Sequence, residues 1–280
     1  MRVASVNVNG IRASVRRGLD GWLAERDCAL VGLQEVRCPI EELPHHAWPD
    51  YHLSYHAGDR AGRNGVGILS RDRPSAVRYG FGHRTFDSEG RYLEIDVEVD
   101  GLGLTVGSVY LPKGAAWLGP DADPDAQRRK LRFMASFSAH LTRARRAAIR
   151  AGREFIVMGD FNIAHTPLDL TNWRANQRNP GFLPEEREWF GRLLSPRTLI
   201  DVVRSLQPTT PGPNSWWTWR GQAFTNDTGW RIDYQLATPG LARLAGSGGT
   251  DREADYDSRM SDHSPVVVDY ATAAQPAVGE

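Results

Sequence analysis

Short apolar runs recur along this chain, and most of them stop abruptly at an acid, an amide or a tyrosine. Residues 2–7 open as a strand and give way to Asn7-Val8-Asn9-Gly10, a polar turn closed by glycine. Val15, Leu19, Trp22 and Leu23 then recur at helical spacing and predict one amphipathic helix. Residues 29–33 form a second buried strand that terminates in Gln34-Glu35. Residues 51–57 and 66–70 predict two short strands joined through a basic, glycine-rich, hairpin-like loop at 58–65. Leu93, Ile95, Val97 and Val99 alternate with Glu94, Asp96, Glu98 and Asp100, the pattern of an antiparallel strand with one face in water. Residues 104–111 run back beside it with Tyr110 near the end.

From 125 to 152 the period is helical, with Leu131, Met134, Phe137 (or Ser138) and Leu141 inward and a dense set of arginines mostly outward. Residues 155–158 are again a buried strand, followed by Gly159-Asp160-Phe161-Asn162. At strand spacing Asp160 and Asn162 share a face, where a carboxylate and an amide suit a water, a metal or a phosphate oxygen. The same pair can equally cap a turn and satisfy backbone groups. Pro184, Glu185 and Glu186 read as a helix start, with proline and acids in the first turn. Residues 232–237 are strand-like around a buried acid, Asp233, and Ser261-Asp262-His263 precedes a closing strand at 266–268.

The 280 residues suit one large α/β domain over 1–270, with a low-complexity tail at 271–280 that reads as disordered. No apolar span is long enough for a membrane and no signal peptide is recognisable, which points to the cytoplasm. Cys28 and Cys38, the only cysteines, form no CxxC and agree with a reducing compartment. Net charge is zero, which argues against indiscriminate polyanion binding. Lys113 and Lys130 are the only lysines among 34 basic residues; a GC-rich coding sequence accounts for that bias as well as phosphate recognition does. The arginine run on the 125–152 helix reads as a solvated face.

Asn7, Glu35, Tyr110, Asp160 and Asn162 thus lie at or just past strand ends, while Asp262 and His263 precede the last strand. Packing in one core brings such ends together. A hard cation such as Mg²⁺ wants the oxygens that Glu35, Asn7 and Asp262 offer, and clustered Cys and His for Zn²⁺ are lacking. His263, with Asp233 to fix its tautomer, is the histidine suited to chemistry. There is no Gly-x-Ser-x-Gly and no reactive cysteine, so metal-assisted attack of water on a phosphodiester is favoured. Trp216, Trp217, Trp219 and Trp230 fit either core packing or an apolar surface for a sugar.

Ser5–Arg12, Leu33-Gln34-Glu35, Gly65–Ser70, Tyr110-Leu111-Pro112, Gly159–Asn162, Gly229–Tyr234 and Ser261–Pro265 together resemble the exonuclease III family of AP endonucleases. The resemblance implies a DNase I-like four-layer α/β sandwich, two mixed β-sheets face to face with helices outside. It implies Mg²⁺, with Mn²⁺ substituting, held chiefly by Glu35, with Asn7 and Asp262 near it and a second position at Asp160, Asn162 and His263. Asp160 would orient or deprotonate the water, Asn162 and His263 contact the phosphate, Asp233 hold His263, and Tyr110 support the phosphate or leaving group. Gly10, Arg12, Gly62, Arg63, Asn64, Asn172, Trp173, Arg174, Asn176, Arg178 and Asn179 would grip double-stranded DNA. Trp216, Trp230 and Ile232 would line an abasic-sugar pocket.

The implied activity is that of a monomeric, nucleoid-associated base-excision-repair enzyme. It would act as a 3′-to-5′ exodeoxyribonuclease and AP endonuclease that cleans 3′ ends and leaves 3′-hydroxyls. Lys113, the acidic and proline-rich stretch 117–125, and Trp173 depart from the family pattern. The competing expectation is a same-fold hydrolase of an inositol phosphate or phospholipid headgroup.

Overall fold

The apolar runs pair into two six-stranded mixed sheets, seen in a computed structural model that describes residues 1–60 and 62–272. In chain order the first half comprises β1 (Arg2–Asn7), α1 (Ile11–Arg16), α2 (Leu19–Arg26), β2 (Leu30–Gln34), β3 (His52–His56), β4 (Val66–Ser70), β5 (Ala76–Tyr79), α3 (Arg84–Asp87), β6 (Tyr92–Val99) and β7 (Leu102–Tyr110). The second comprises α4 (Pro124–Arg150), β8 (Glu154–Asp160), α5 (Trp173–Asn176), α6 (Pro184–Leu193), β9 (Ile200–Asp201), α7 (Val202–Leu206), β10 (Asp233–Ala237), α8 (Pro239–Ala242), β11 (Ala245–Thr250) and β12 (Val266–Tyr270). One sheet is ordered β11-β12-β1-β2-β4-β3 and the other β5-β6-β7-β8-β10-β9.

Each layer boundary has its own apolar cluster. Val3, Leu30, Ile68, Val106, Ile156, Met158 and Val268 fill the space between the sheets. Phe133, Phe137 and Leu141 of α4 pack with Phe190 of α6 on Phe155, Val157 and Tyr234 of the second sheet. Leu19 and Leu23 of α2 cover Ala4, Val6, Val31 and Leu33 of the first. This is the expected α/β/β/α sandwich. Among the described residues no helix is long and apolar enough to cross a membrane.

Several local expectations need correction. The single helix around Val15–Leu23 is two short helices, because Gly18 takes a left-handed φ of 101° between them. The supposed water face of β6 is exposed at Glu98 but covered at Glu94 and Asp96, both 5% exposed. Arg78 of the edge strand β5 reaches both carboxylates, at 2.6 Å and 2.7 Å, and Arg153 adds a 3.0 Å pair to Asp96. A charged row can point inward where guanidinium groups meet it. Leu131 is only half-buried, whereas Gln127 and Lys130 of α4 are fully buried. Asn162 lies beyond the end of β8 with φ +50°, so it meets Asp160 through a turn rather than along a strand face. Of the expected tail, positions from 273 on lie outside the described residues.

Candidate active site

Strand register assembles the site. In the second sheet β8 lies parallel to β7 with Tyr110 opposite Asp160, and antiparallel to β10 with Asp233 opposite Asp160. Gly159, one step before, has φ +142°, and a Cβ there would collide with the Val109 carbonyl. Glycine is therefore what allows the close approach that sets Tyr110 beside Asp160. In the other sheet β1 and β2 are parallel with Asn7 opposite Gln34, which leaves Glu35 one residue past the pair. β12 runs antiparallel to β1, with Ser5 opposite Val266, and carries Asp262 and His263 back to the same end.

A cavity of about 410 Å³ opens there, and Glu35, Tyr110, Asp160, Asn162, Asn179, Trp216, Trp230, Ile232, Asp262 and His263 all line it. Asn7 and Asp233 lie directly behind. Asn7 Nδ2 donates to Glu35 Oε1 at 3.0 Å and to Asp160 Oδ2 at 2.9 Å, and its Oδ1 accepts from Asn9 N–H at 3.0 Å, which fixes the amide's orientation. Asp160 Oδ1 accepts from Asn162 N–H at 2.8 Å, while Asn162 Nδ2 donates to Leu111 O at 2.9 Å and Asp160 Oδ2 at 3.2 Å. The turn-capping contacts expected of this pair are thus present, and both residues line the cavity. His263 Nδ1–H donates to Asp233 Oδ2 at 2.8 Å, and Ser215 Oγ donates to that oxygen at 2.6 Å. His263 Nε2 faces Asp160 Oδ2 at 3.9 Å.

Burial and the charges of Asp233 and Glu35, opposed by His263, push the Asp160 carboxyl up to about 8. Burial disfavours the His263 cation, but Asp233 outweighs it, with Asp160 and Asp262 adding, and the imidazole is pushed up to about 10. Burial, with Glu35 and Asp160 nearby, raises the Tyr110 phenol well above its ordinary value. A site so crowded with negative charge favours a cation. Glu35, Asp160 and His263 offer ligand atoms that all lie within 4.8 Å of one another. The two carboxylates suit a hard divalent ion. Asp262 stands aside: its Oδ1 accepts from Asn9 Nδ2 at 2.7 Å and its Oδ2 from Trp216 Nε1 at 3.2 Å.

The four tryptophans divide. Trp216 and Trp230 meet edge-on, centroids 6.4 Å apart, in the cavity wall; Trp217 is fully buried core; Trp219 stacks on the Arg259 guanidinium at 4.3 Å. Most of the expected DNA-binding residues lie outside the cavity, on loops and on the short helices α1 and α5. Gly10 N–H donates to Glu35 O at 2.8 Å, and Arg12 pairs with Glu42. Arg37 N–H donates to Asn64 O at 2.8 Å, next to the exposed Gly62 and Arg63. Asn172 stands before α5 in a left-handed conformation, Asn176 Nδ2 donates to Asn172 O, and Asn179 Nδ2 donates to Asn176 Oδ1. Trp173 is half-buried against the Leu170–Phe182 cluster under Arg174, not exposed as its polar surroundings suggest. Arg178 is exposed.

The profile of the endonuclease/exonuclease/phosphatase family matches residues 4–263. The chain belongs to that family. It is 32% identical over 273 residues to the DNA repair nuclease APEX1 of Danio rerio, covering 96% of this chain and 81% of the relative. It is also 32% identical over 269 residues to an exodeoxyribonuclease of Bacillus subtilis, covering 95% and 98%. Among solved structures, the 3′ phosphatase NExo from Neisseria bound to a product DNA hairpin superposes with a TM-score of 0.81 at 25% identity, covering 97% of this chain and 99% of that one. The chain is accordingly a nuclease of the exonuclease III and AP endonuclease group, a phosphodiester hydrolase, and its family is metal-dependent.

Sequence reasoning missed Arg37, Asn9 and Ser215. Arg37 lines the cavity and pairs with Glu35. Asn9, Glu35, Arg37 and Asn162 all have φ between 42° and 52°, and left-handed backbone gathered at one place is characteristic of functional sites. For Glu35 and Arg37 no residue type announces this. Asn9 carries the one usable signal, an asparagine before glycine.

Proposed function

We propose that this nuclease is a Mg²⁺-dependent DNA-repair enzyme, with Mn²⁺ able to substitute, that cleaves duplex DNA at abasic sites and trims 3′ ends to leave 3′-hydroxyls. The observation that carries the proposal is the convergence of Glu35, Asp160 and His263 in a cavity whose other wall is Trp216, Trp230 and Ile232. Such a cavity offers a cation and hydrogen bonds to a phosphate and an apolar face to a sugar without its base. The relatives' repair-nuclease names, and the DNA hairpin on the Neisseria phosphatase, support a DNA substrate. The bacterial exodeoxyribonuclease relative supports a cytoplasmic place of action.

Glu35 would hold the ion, with Asp160 and His263 near it and Asp262 farther out. When bound, the ion neutralises charge that builds on the phosphate oxygens. Beside a cation the raised Asp160 carboxyl would return to the ionised form, in which it orients and deprotonates the attacking water. The His263–Asp233 pair presents Nε2–H to a phosphate oxygen, with Ser215 holding Asp233. Asn7 acts through its nitrogen, tying Glu35 to Asp160. Both amide protons of Asn162 are engaged, so its contact with a phosphate oxygen releases the longer bond, the 3.2 Å one to Asp160. Tyr110, a neutral phenol, supports the phosphate or the leaving group. Gly10, Arg12, Gly62, Arg63, Asn64, Asn172, Trp173, Arg174, Asn176, Arg178 and Asn179 form the duplex grip.

The test is an assay of the purified protein, with Mg²⁺ and with EDTA, on abasic, nicked, 3′-phosphate and intact duplexes, with a soluble inositol phosphate as competitor. Metal-dependent cleavage of the abasic or 3′-phosphate duplex is expected. Hydrolysis of the inositol phosphate with the DNA left intact would overturn the proposal.

A further inference from the structure

Behind the cavity wall sits a fully buried ion pair, Lys130 of α4 with Glu186 of α6, at 2.8 Å. Neither side chain lines the cavity. We infer that Lys130 and Glu186 are positioning residues for the nuclease reaction, holding the Asn162 turn and the Asn179–Gly181 wall at the spacing the substrate requires.

The reason lies in what the pair is attached to. Lys130 Nζ has three protons, and besides Glu186 it donates to the carbonyls of Asn162 at 2.9 Å and Lys113 at 3.1 Å. Glu186 Oε2 accepts from Gly181 N–H at 2.7 Å and Leu183 N–H at 3.1 Å, while Oε1 also accepts from Gln127 Nε2 at 3.1 Å. Gln127 Oε1 in turn accepts from Ala115 N–H at 3.1 Å. Three of the residues so held, Lys113, Asn162 and Gly181, line the cavity. The fit leaves no slack: a Cβ on Gly114 would come within 2.7 Å of the Lys130 stem, and one on Gly181 would sit 3.2 Å from both Asn162 O and the Trp230 ring.

Fold stability alone does not call for charge here, since a buried ion pair replaced by apolar groups of similar shape commonly leaves stability unchanged or improved. An ammonium is the one side-chain group that gives three donors from a single point, and a carboxylate accepts from four. Together they bind three loops with no strand between them. Movement of about 1 Å at such a support costs roughly 10²-fold in turnover.

The inference rests on the proposed function, and the experiment separates the two. The double variant Lys130→Met with Glu186→Gln removes both charges while keeping volume, so no lone charge stays buried. Its kcat on an abasic duplex with Mg²⁺ is expected to fall about 10²-fold. Duplex affinity in Ca²⁺ should stay within about threefold of the wild type, since of the exposed grip only Asn179 adjoins the wall the pair supports. Gln127→Leu, which removes two of the spokes but neither charge, should lose about tenfold in kcat and decides the matter if the double variant does not fold. A folded variant with kcat near wild type, or with kcat and duplex affinity falling by the same factor, overturns the inference alone. A wild type inactive on abasic and 3′-phosphate duplexes overturns the functional reading and this inference with it.

Discussion

Glu35 and Asp160 lie side by side, bridged by one asparagine, yet the proposed mechanism gives them different work, and substitution should separate them. Asp160 receives three donors: Asn7 Nδ2 at 2.9 Å and Asn162 Nδ2 at 3.2 Å on Oδ2, and Asn162 N–H at 2.8 Å on Oδ1. Asp160→Asn can present an oxygen to only one side, so at least one N–H is left facing an amide NH₂, at a cost of about 1–3 kcal/mol. Loss of the base itself costs on the order of 10² to 10⁴ in turnover, and added metal cannot restore a missing proton acceptor. Glu35→Gln keeps the shape but discards the charge that draws in the ion, and it leaves Arg37 without its carboxylate. Its defect should be a metal concentration for half activity raised by about tenfold or more, about 1.4 kcal/mol of lost attraction, with rate recovered at high Mg²⁺ or Mn²⁺. The assay is a metal titration of single-turnover cleavage of one abasic duplex, alongside duplex affinity in Ca²⁺. Affinity should survive in Asp160→Asn and tighten as negative charge leaves the phosphate site. Rescue of Asp160→Asn by metal, with none for Glu35→Gln, would reverse the assignment of base and ligand.

Trp230→Ala should impair abasic cleavage more than 3′-phosphate removal, because the ring forms the apolar wall with Trp216; equal losses would make it packing only. Arg174→Ala and Arg178→Ala should each reduce the slope of log K against log salt by roughly 0.9, and Arg145→Ala on the outer face of α4 should not. A flattened slope for Arg145→Ala alone would put the binding face elsewhere. Glu94 is held down at about 2: burial opposes its charge, but His140, Arg78 and Tyr92 outweigh it. The fall from 4.5 to about 2, at about 1.4 kcal/mol for each pH unit, contributes about 3 kcal/mol that is fully present above pH 4.5 and lost as pH falls through 2. Urea melts of Glu94→Gln should therefore fall short of wild type by about that amount at pH 7 and converge with it near pH 2, and parallel curves across this range would exclude the linkage.

Much of this was legible in the chain because strand ends announce themselves. An apolar run that stops at Glu35, Tyr110 or Asp160 marks both the end of a strand and a side chain free to do chemistry, so fold and site are read from one signal. Asp233 beside His263 was legible for a similar reason, as an acid inside a buried run. What escaped was set by tertiary partners. Glu94 and Asp96 alternate like surface residues, and the partners that meet them, Arg78 on a short edge strand and Arg153 beyond α4, are distant in sequence. Lys130 falls among arginines on a helix, and nothing in the local pattern tells the one buried cation from its exposed neighbours. Gly18 divides a helix whose apolar spacing is unbroken, since periodicity does not register a φ of 101°.

The place of β1 in its sheet has a consequence for how the enzyme comes into being. It pairs with β2 on one side and with β12 on the other, so the first strand of the chain waits for the last. Asn9 and Asp262, joined at 2.7 Å, stand 253 positions apart. Contacts of that range close very large loops and form late, which places this topology among slow folders. A chain broken off before Ser261 would hold Glu35, Tyr110 and Asp160, but it would lack His263 and leave one side of β1 as an open edge. Nuclease activity is therefore expected to need the last strand as well as the first, and a chain truncated before Ser261 is expected to lack it.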